Sequence, residues 1–242
     1  MCLIVFAWQV VPNMPLIAAG NRDEFYARPS SPAAWWDDQP DIYAGRDLRG
    51  GGTWMGINRA GHFAALTNIR APIEHRADAP SRGALVTDFL ADSQSASRYA
   101  AQLAAAEDRY NGFNLLLYDG NELVWYSNRG VEDARNGLAL KPGIYGISNG
   151  LLDTAWPKVV RTKAQFASLL CQSAPTDTYF EMLADTTKSG DCRLPKTGVS
   201  IELERLLSAV CIESPEYGTR SSTLVRIPAN GVESQLCERV LR

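Results

Sequence analysis

Cys2 follows the initiator Met1 directly, and its chemistry depends on whether that methionine stays. A small second residue permits removal of Met1. Removal would leave a thiol and a free α-amine on one residue. An unperturbed α-amine titrates at about 7.7 to 8 and a Cys thiol at about 8.5. The amine can therefore take the thiol proton near neutral pH, directly or through a water. One residue then supplies both nucleophile and base, the N-terminal nucleophile arrangement. The competing reading is structural: Cys2 is a small apolar residue opening a core strand. Leu3 to Trp8 support that strand, being apolar and partly β-branched.

Other polar residues recur where strands are expected to end. Asn21-Arg22-Asp23-Glu24 follows the apolar run Leu16 to Gly20, Asn68 follows Phe63 to Leu66, and Asn149 ends Gly143 to Gly150. Arg220 precedes the last hairpin. Each has a plain reading, because Asn, Asp and Gly are common at strand ends and loops are solvated. Together they could supply a nucleophile, a guanidinium–carboxylate pair that orients it, and amide donors for an oxyanion. Arg22 is expected to pair with Asp23 or Glu24. Asn21, Glu24, Trp54 and His62 are further ligand-contact candidates.

The elements that must position these groups begin with a hairpin. Residues 2 to 10 read as the first strand and Val11 to Pro15 as a turn with two prolines and an Asn. A turn near residue 13 pairs position i with a residue near 26−i, so Cys2 should face residue 24 or its neighbours. Residues 26 to 52 read as irregular. Trp35-Trp36 suits a core edge better than ligand stacking. Gly50-Gly51-Gly52 reads as a tight turn, since the Walker A spacing and its Lys are missing. Residues 53 to 58 and 62 to 69 form a second hairpin.

Ser81 is expected to cap a helix with Leu85, Val86, Phe89 and Leu90 on one face, and a second helix runs to about Ala106. Residues 111 to 118 and 122 to 127 flank the turn signal Asp119-Gly120-Asn121. A short strand is expected over 138 to 140. Pro157 opens a helix to about Cys171, with Val159, Val160, Phe166, Leu169 and Leu170 inward. Helices follow over roughly 175 to 187 and 201 to 211. Residues 221 to 227 and 232 to 240 close the chain as a hairpin across Asn230-Gly231. Helices come in blocks between groups of strands, which disfavours a doubly wound parallel sheet. No domain boundary is visible within 1–242.

Composition narrows the function classes. The chain has 242 residues, 45% hydrophobic and 21% charged, inside the globular range. A net charge of −3 leaves no global footprint for nucleic acid or an anionic membrane. Two histidines, His62 and His75, argue against a His-rich metal centre, and no metal is expected. The five cysteines are widely spaced, with no zinc or redox pairing, and point to a reducing, cytoplasmic setting. No secretory signal and no run of about 20 apolar residues is present, so no membrane span is expected.

Several stretches now combine into one pattern. Met-Cys-Leu-Ile at the start, Gly20 to Glu24, Gly52 to Asn58, Leu66 to Arg70 and Gly146 to Gly150 resemble the NRDE family, in that family's order and over nearly the whole chain. That family is more distantly similar to N-terminal-nucleophile hydrolases of the choloylglycine hydrolase and penicillin V acylase type. The resemblance implies an α+β fold, a four-layer αββα sandwich of two mainly antiparallel sheets. It also implies Cys2 as nucleophile, Arg22 and Asp23 as its orienting groups, Asn68 and Asn149 at oxyanion or amine-anchoring positions, and Arg220 as support. In those hydrolases the carboxylate does not follow the Arg directly, so Glu24 is the alternative to Asp23. The family is associated with transport and Golgi organisation, with haem handling and with acyl-coenzyme A or lipid metabolism. The implied activity is amide or thioester hydrolysis of an acyl substrate. The alternative is a non-catalytic carrier of haem or acyl-coenzyme A. No cofactor is required, and haem could bind transiently through Cys2 or His62.

Overall fold

The computed structural model describes residues 2–106, 109–229 and 233–242. Met1 and the turn expected at Asn230-Gly231 lie outside the described residues. Two antiparallel sheets stack face to face. The first has the order β11 (Gln235–Val240), β10 (Tyr217–Ile227), β2 (Met14–Phe25), β1 (Cys2–Val11), β9 (Gly143–Ile147). The second runs β3 (Ser30–Trp35), β4 (Ile42–Asp47), β5 (Met55–Asn58), β6 (Phe63–Asn68), β7 (Phe113–Tyr118), β8 (Leu123–Ser127). Helices α1 (Gly83–Ala91) and α2 (Ala96–Ala104) cover the second sheet. Helices α3 (Pro157–Cys171) and α4 (Thr176–Leu183) cover the first. Helix α5 (Ile201–Leu207) follows. This is the αββα sandwich.

Alternation along β1 shows why it carries no polar face. Ile4, Phe6 and Trp8 point between the sheets, where they meet Met55, Phe63, Leu116 and Trp125. Leu3, Val5 and Ala7 point the other way, onto Val159 and Phe166 of α3. A strand covered on both faces must be apolar throughout. The second sheet repeats the logic: Ala64, Leu66, Leu115 and Leu117 face Leu85, Val86 and Phe89 of α1. The β1–β2 turn places Asn13 at φ +58°, a left-handed conformation that Asn tolerates better than most residues.

Several elements differ from the sequence reading. β2 runs on to Phe25, so Asn21 to Glu24 lie inside a strand rather than after it. That strand is paired on both sides, by β1 and β10, so its polar residues still make ladder bonds. Residues 26 to 52 are not irregular. They contain β3 and β4, whose short length, Pro32 and offset pairing between Ser31 and Ala34 mask the strand pattern. Arg220 lies inside β10, at an irregularity between Thr219 and Ser221, rather than before the hairpin. Ser81 does not cap α1; the N-cap is Arg82, without a side-chain cap bond. Residues 138 to 140 give only a single bridge, Val124 to Ala139. Val160 is exposed, and Lys158 is buried instead. Gly50 to Gly52 do form a turn, and Gly52 packs so tightly on Gly83 that an added Cβ would sit 2.4 Å from its carbonyl carbon.

Among the described residues no helix is long and apolar enough to cross a membrane.

Trp125 is fully buried between the sheets and donates from Nε1 to Asn114 Oδ1 at 3.2 Å. Trp125→Ala should therefore cost about 3 to 5 kcal/mol of stability. Urea unfolding followed by circular dichroism checks this; a loss below about 1 kcal/mol would contradict the inter-sheet core as drawn.

Candidate functional site

The register of three strands builds the site. Cys2 pairs with Arg22 across β1 and β2, and Arg22 pairs with Ser221 across β2 and β10. The expected partner of Cys2 lay near residue 24. The turn centred between residues 12 and 13 accounts for one residue of the offset, and the irregularity between Trp8 and Val11 for the other. Cross-strand partners share a face, so Cys2 and Arg22 both point between the sheets. Asn21 and Asp23 point to the helical side.

A cleft of about 550 Å³ opens at this end of the sandwich. Cys2, Arg22, Asp23, Glu24, Trp54, Asn68 and Arg220 line it. Asn21 and Asn149 are buried behind it. Both Asn21 amide hydrogens are used, toward the carbonyls of Leu183 at 2.8 Å and Val210 at 2.9 Å. Its Oδ1 accepts from Ser222 Oγ at 2.7 Å. Asn149 Nδ2 donates to the Asn68 carbonyl at 2.8 Å. Ser148 Oγ donates to the Cys2 carbonyl at 2.9 Å, which fastens the start of β1 to the end of β9. The Asn68 side chain makes no hydrogen bond to the described residues. His62 is not in the cleft. It precedes β6, whose far end carries Asn68, roughly 20 Å away at strand rise. There it stacks on Phe89 at 5.7 Å.

Arg22 does not pair with Asp23 or Glu24. Its guanidinium lies 3.7 Å from Asp47 Oδ2, on the facing sheet. Strand alternation explains this, because Asp23 leaves on the opposite face. Glu24 shares the face of Arg22, yet its Oε1 accepts from the Phe25 N–H at 2.9 Å. Asp47 also holds Arg28 at 2.9 Å. Asp23 is the buried carboxylate of the two and accepts from Thr219 Oγ1 at 2.7 Å. Arg220 is a tie for the backbone. Its Nη1 donates to the carbonyls of Phe25, Tyr26 and Arg28, and its Nε donates to that of Arg242.

Burial sets the electrostatics. Desolvation pushes the Cys2 thiol above its ordinary value, and the Asp23 carboxylate adds to that. The Arg22 guanidinium and the Asp23 backbone N–H pull it down without reversing the shift. Desolvation also raises Asp23, against the lowering effects of Lys158, the Thr219 hydroxyl and Arg70. Lys158 is the residue the sequence reading missed. It is 2% exposed, its Nζ has no hydrogen-bond partner among the described residues, and burial lowers it to about 8 while Asp23 opposes that. It is the second residue of α3. Beside it, Arg70 and Glu204 form a buried pair at 2.6 Å, with Arg70 4.9 Å from the Trp156 ring centroid. The five cysteines are all free thiols. Among the described residues no group of three or more His, Cys, Asp or Glu could hold a metal ion.

Comparison with known proteins gives this geometry a context. The family model of Transport and Golgi organisation 2 matches residues 1–242. The human Transport and Golgi organization protein 2 homolog is 36% identical over 252 residues, covering 96% of this chain and 90% of that protein. The Drosophila melanogaster Transport and Golgi organization protein 2 is 31% identical over 190 residues, covering 70% and 65%. Among solved structures, a Caenorhabditis elegans N-acylethanolamine-hydrolyzing acid amidase ortholog superposes with a TM-score of 0.53 over the full length of both chains at 9% identity, a shared fold. The chain belongs to the Transport and Golgi organisation 2 family.

Proposed function

We propose that the protein is an acyl hydrolase that cleaves an amide or thioester with Cys2 as nucleophile. The observation that carries this reading is the placement of Cys2. Its side chain lines a 550 Å³ cleft, in register with Arg22 and beside Asn68. Removal of Met1 would free the Cys2 α-amine at the end of β1. The amine takes the Sγ proton as the sulfur attacks the acyl carbon. The carbonyl π electrons move onto oxygen, and the Asn68 amide, free of hydrogen bonds to the described residues, donates to that oxyanion. Collapse re-forms the carbonyl and breaks the bond to the leaving amine or thiol, which departs with the proton held by the α-amine. Water then hydrolyses the Cys2 thioester by the same sequence. Asn149 holds the Asn68 carbonyl and acts as a positioning residue. Arg22 lowers the thiol from within the cleft, and Asp23 anchors the amine from the helical side.

A second reading has its own support. Burial keeps the Cys2 thiol above its ordinary value while Met1 is attached, which suits a resting thiol. The protein would then be a carrier of haem or acyl-coenzyme A without turnover. Of the two residues suggested for haem, Cys2 lines the cleft and His62 does not.

Cys2→Ala should abolish hydrolysis of a panel of acyl amides and thioesters by the processed protein. Turnover that survives would remove Cys2 from the chemistry. Asn68→Ala should lower kcat about 100- to 1000-fold with the fold intact, the usual cost of losing one oxyanion donor. An unchanged kcat would assign that role elsewhere. Absence of turnover on every substrate, with stoichiometric ligand binding in calorimetry, would favour the carrier.

The charge on Lys158 gives a pH signature. Its folded value, about 8, lies below the unfolded value of about 10.4. Between those values the unfolded chain holds more protons, so this group adds stability as pH rises from about 8. The stability difference between wild type and Lys158→Met should therefore shift toward wild type by roughly 1.4 kcal/mol per pH unit in that window. Urea titrations at pH 7.5, 8.5 and 9.5 measure it; a flat difference would contradict a buried, charge-depressed Lys158.

A further inference from the structure

Lys158 works against the stability of the fold in two ways. It is the second residue of α3, at the positive end of the helix dipole, and the first turn holds no acidic side chain to offset it. It is also buried, with an Nζ that makes no hydrogen bond to the described residues. A buried ammonium is costly unless it is paired, and a methionine would fill similar space without charge. The charge therefore needs a reason outside stability.

The fold brings that charge to the start of β1. Gly146 pairs with Val5, and a Cβ on Gly146 would meet Val159 Cγ1 at 2.8 Å, so the first turn of α3 lies on the β1–β9 ladder. Lys158 precedes Val159 and feels the charges of Asp23 on β2, Arg70 after β6, Cys2 on β1 and Glu204 of α5. Glu204 is committed to Arg70 at 2.6 Å and to Thr197 Oγ1 at 2.6 Å. Tyr217 of β10 feels Asp23 and Cys2 as well, but burial pushes its phenol up and keeps it neutral. Asp23 is thus the carboxylate that Lys158 shares with the Cys2 α-amine of the processed chain.

We propose that Lys158 is a positioning residue that keeps the Cys2 α-amine in its neutral, proton-accepting form by sharing Asp23 with it. The inference rests on the acyl-hydrolase reading of the cleft. A carboxylate with one ammonium holds that ammonium charged, and a charged amine cannot take the Sγ proton. A second cation beside the same carboxylate repels the first, so the pair of amines loses one proton near neutral pH. A general base works best with its pKa near the working pH. The Sγ proton then moves to the amine during attack, and Asp23 balances the new ammonium until it protonates the leaving group.

The test uses the processed full-length protein with 13C-labelled cysteine. NMR titration of the Cys2 Cα and Cβ signals gives the amine midpoint without any substrate. Lys158→Met and Lys158→Gln should each raise that midpoint by about one pH unit or more. Asp23 keeps the Thr219 hydroxyl and Arg70 beside it in both variants, and Met preserves the packing if Gln does not. The acid limb of kcat/KM on an acyl thioester should move up by the same amount, lowering the rate at pH 7 about tenfold and leaving the plateau above the limb unchanged. A purely structural role would lower the rate at every pH. A midpoint unmoved by Lys158→Met overturns the inference and leaves hydrolysis by Cys2 standing. A midpoint that moves while the acid limb stays in place overturns it as well. A moved midpoint in a protein that turns over no amide or thioester would instead overturn the Cys2 reading on which the inference rests.

Discussion

The antiparallel ladder that joins β1, β2 and β10 is the constraint on which the site depends. A strand has a period of two, so a slip of one residue would exchange every inward and outward side chain. The pairing of Cys2 with Arg22 and of Arg22 with Ser221 places the thiol and one guanidinium between the sheets. The same ladder sends Asn21 and Asp23 to the helical side. There Asn21 closes on the carbonyls of Leu183 and Val210, and Asp23 on Thr219. One register thus makes both a cleft-lining face and a bracing face. The apolar residues of β1 hold that register, because Ile4 and Phe6 could not exchange places with Leu3 and Val5 without repacking two cores.

Charge buried behind the cleft is the second organising feature. Asp23, Arg70 and Glu204 all lie close enough to Lys158 for it to feel their charges. The Arg70–Glu204 pair is closed by a direct ion pair, and Thr197 adds two further donors to Glu204. Buried charge of this kind does little for stability against an apolar equivalent. It does keep a polar environment beside the start of β1, where the proposed mechanism needs a carboxylate for a charged amine. A buried, perturbed lysine and carboxylate next to a cleft cysteine is the pattern expected of a functional site rather than of a core.

Much of the architecture was legible in the sequence, and the failures have physical causes. The blocks of strands and helices, the opening hairpin and the helix from Pro157 to Cys171 followed from periodicity and turn chemistry. β3 and β4 did not, because an edge strand holding Pro32 and exposed Ala34 lacks an alternating pattern. The strand character of Asn21 to Glu24 was hidden for a different reason. Four polar residues read as loop unless partners on both sides are known, and β10 lies nearly 200 residues away. Arg22 was matched to its sequence neighbours, whereas strand alternation hands it to Asp47 of the other sheet. Lys158 carried no local signal at all, since its burial comes from the end of the first sheet. The cleft partners Cys2, Arg22, Asn68 and Arg220 were found by their recurrence at strand ends. Their division into cleft-lining groups, braces and backbone ties needed the distances.

The account stands on Cys2 acting as an N-terminal nucleophile. Intact-mass spectrometry of the purified protein, quenched in acid during turnover of an acyl thioester, tests this most directly. The expected result is a chain that begins at Cys2 and carries one acyl group, mapped to Cys2 by peptide fragmentation. A chain that retains Met1, or that turns substrate over without an adduct on Cys2, would contradict the account.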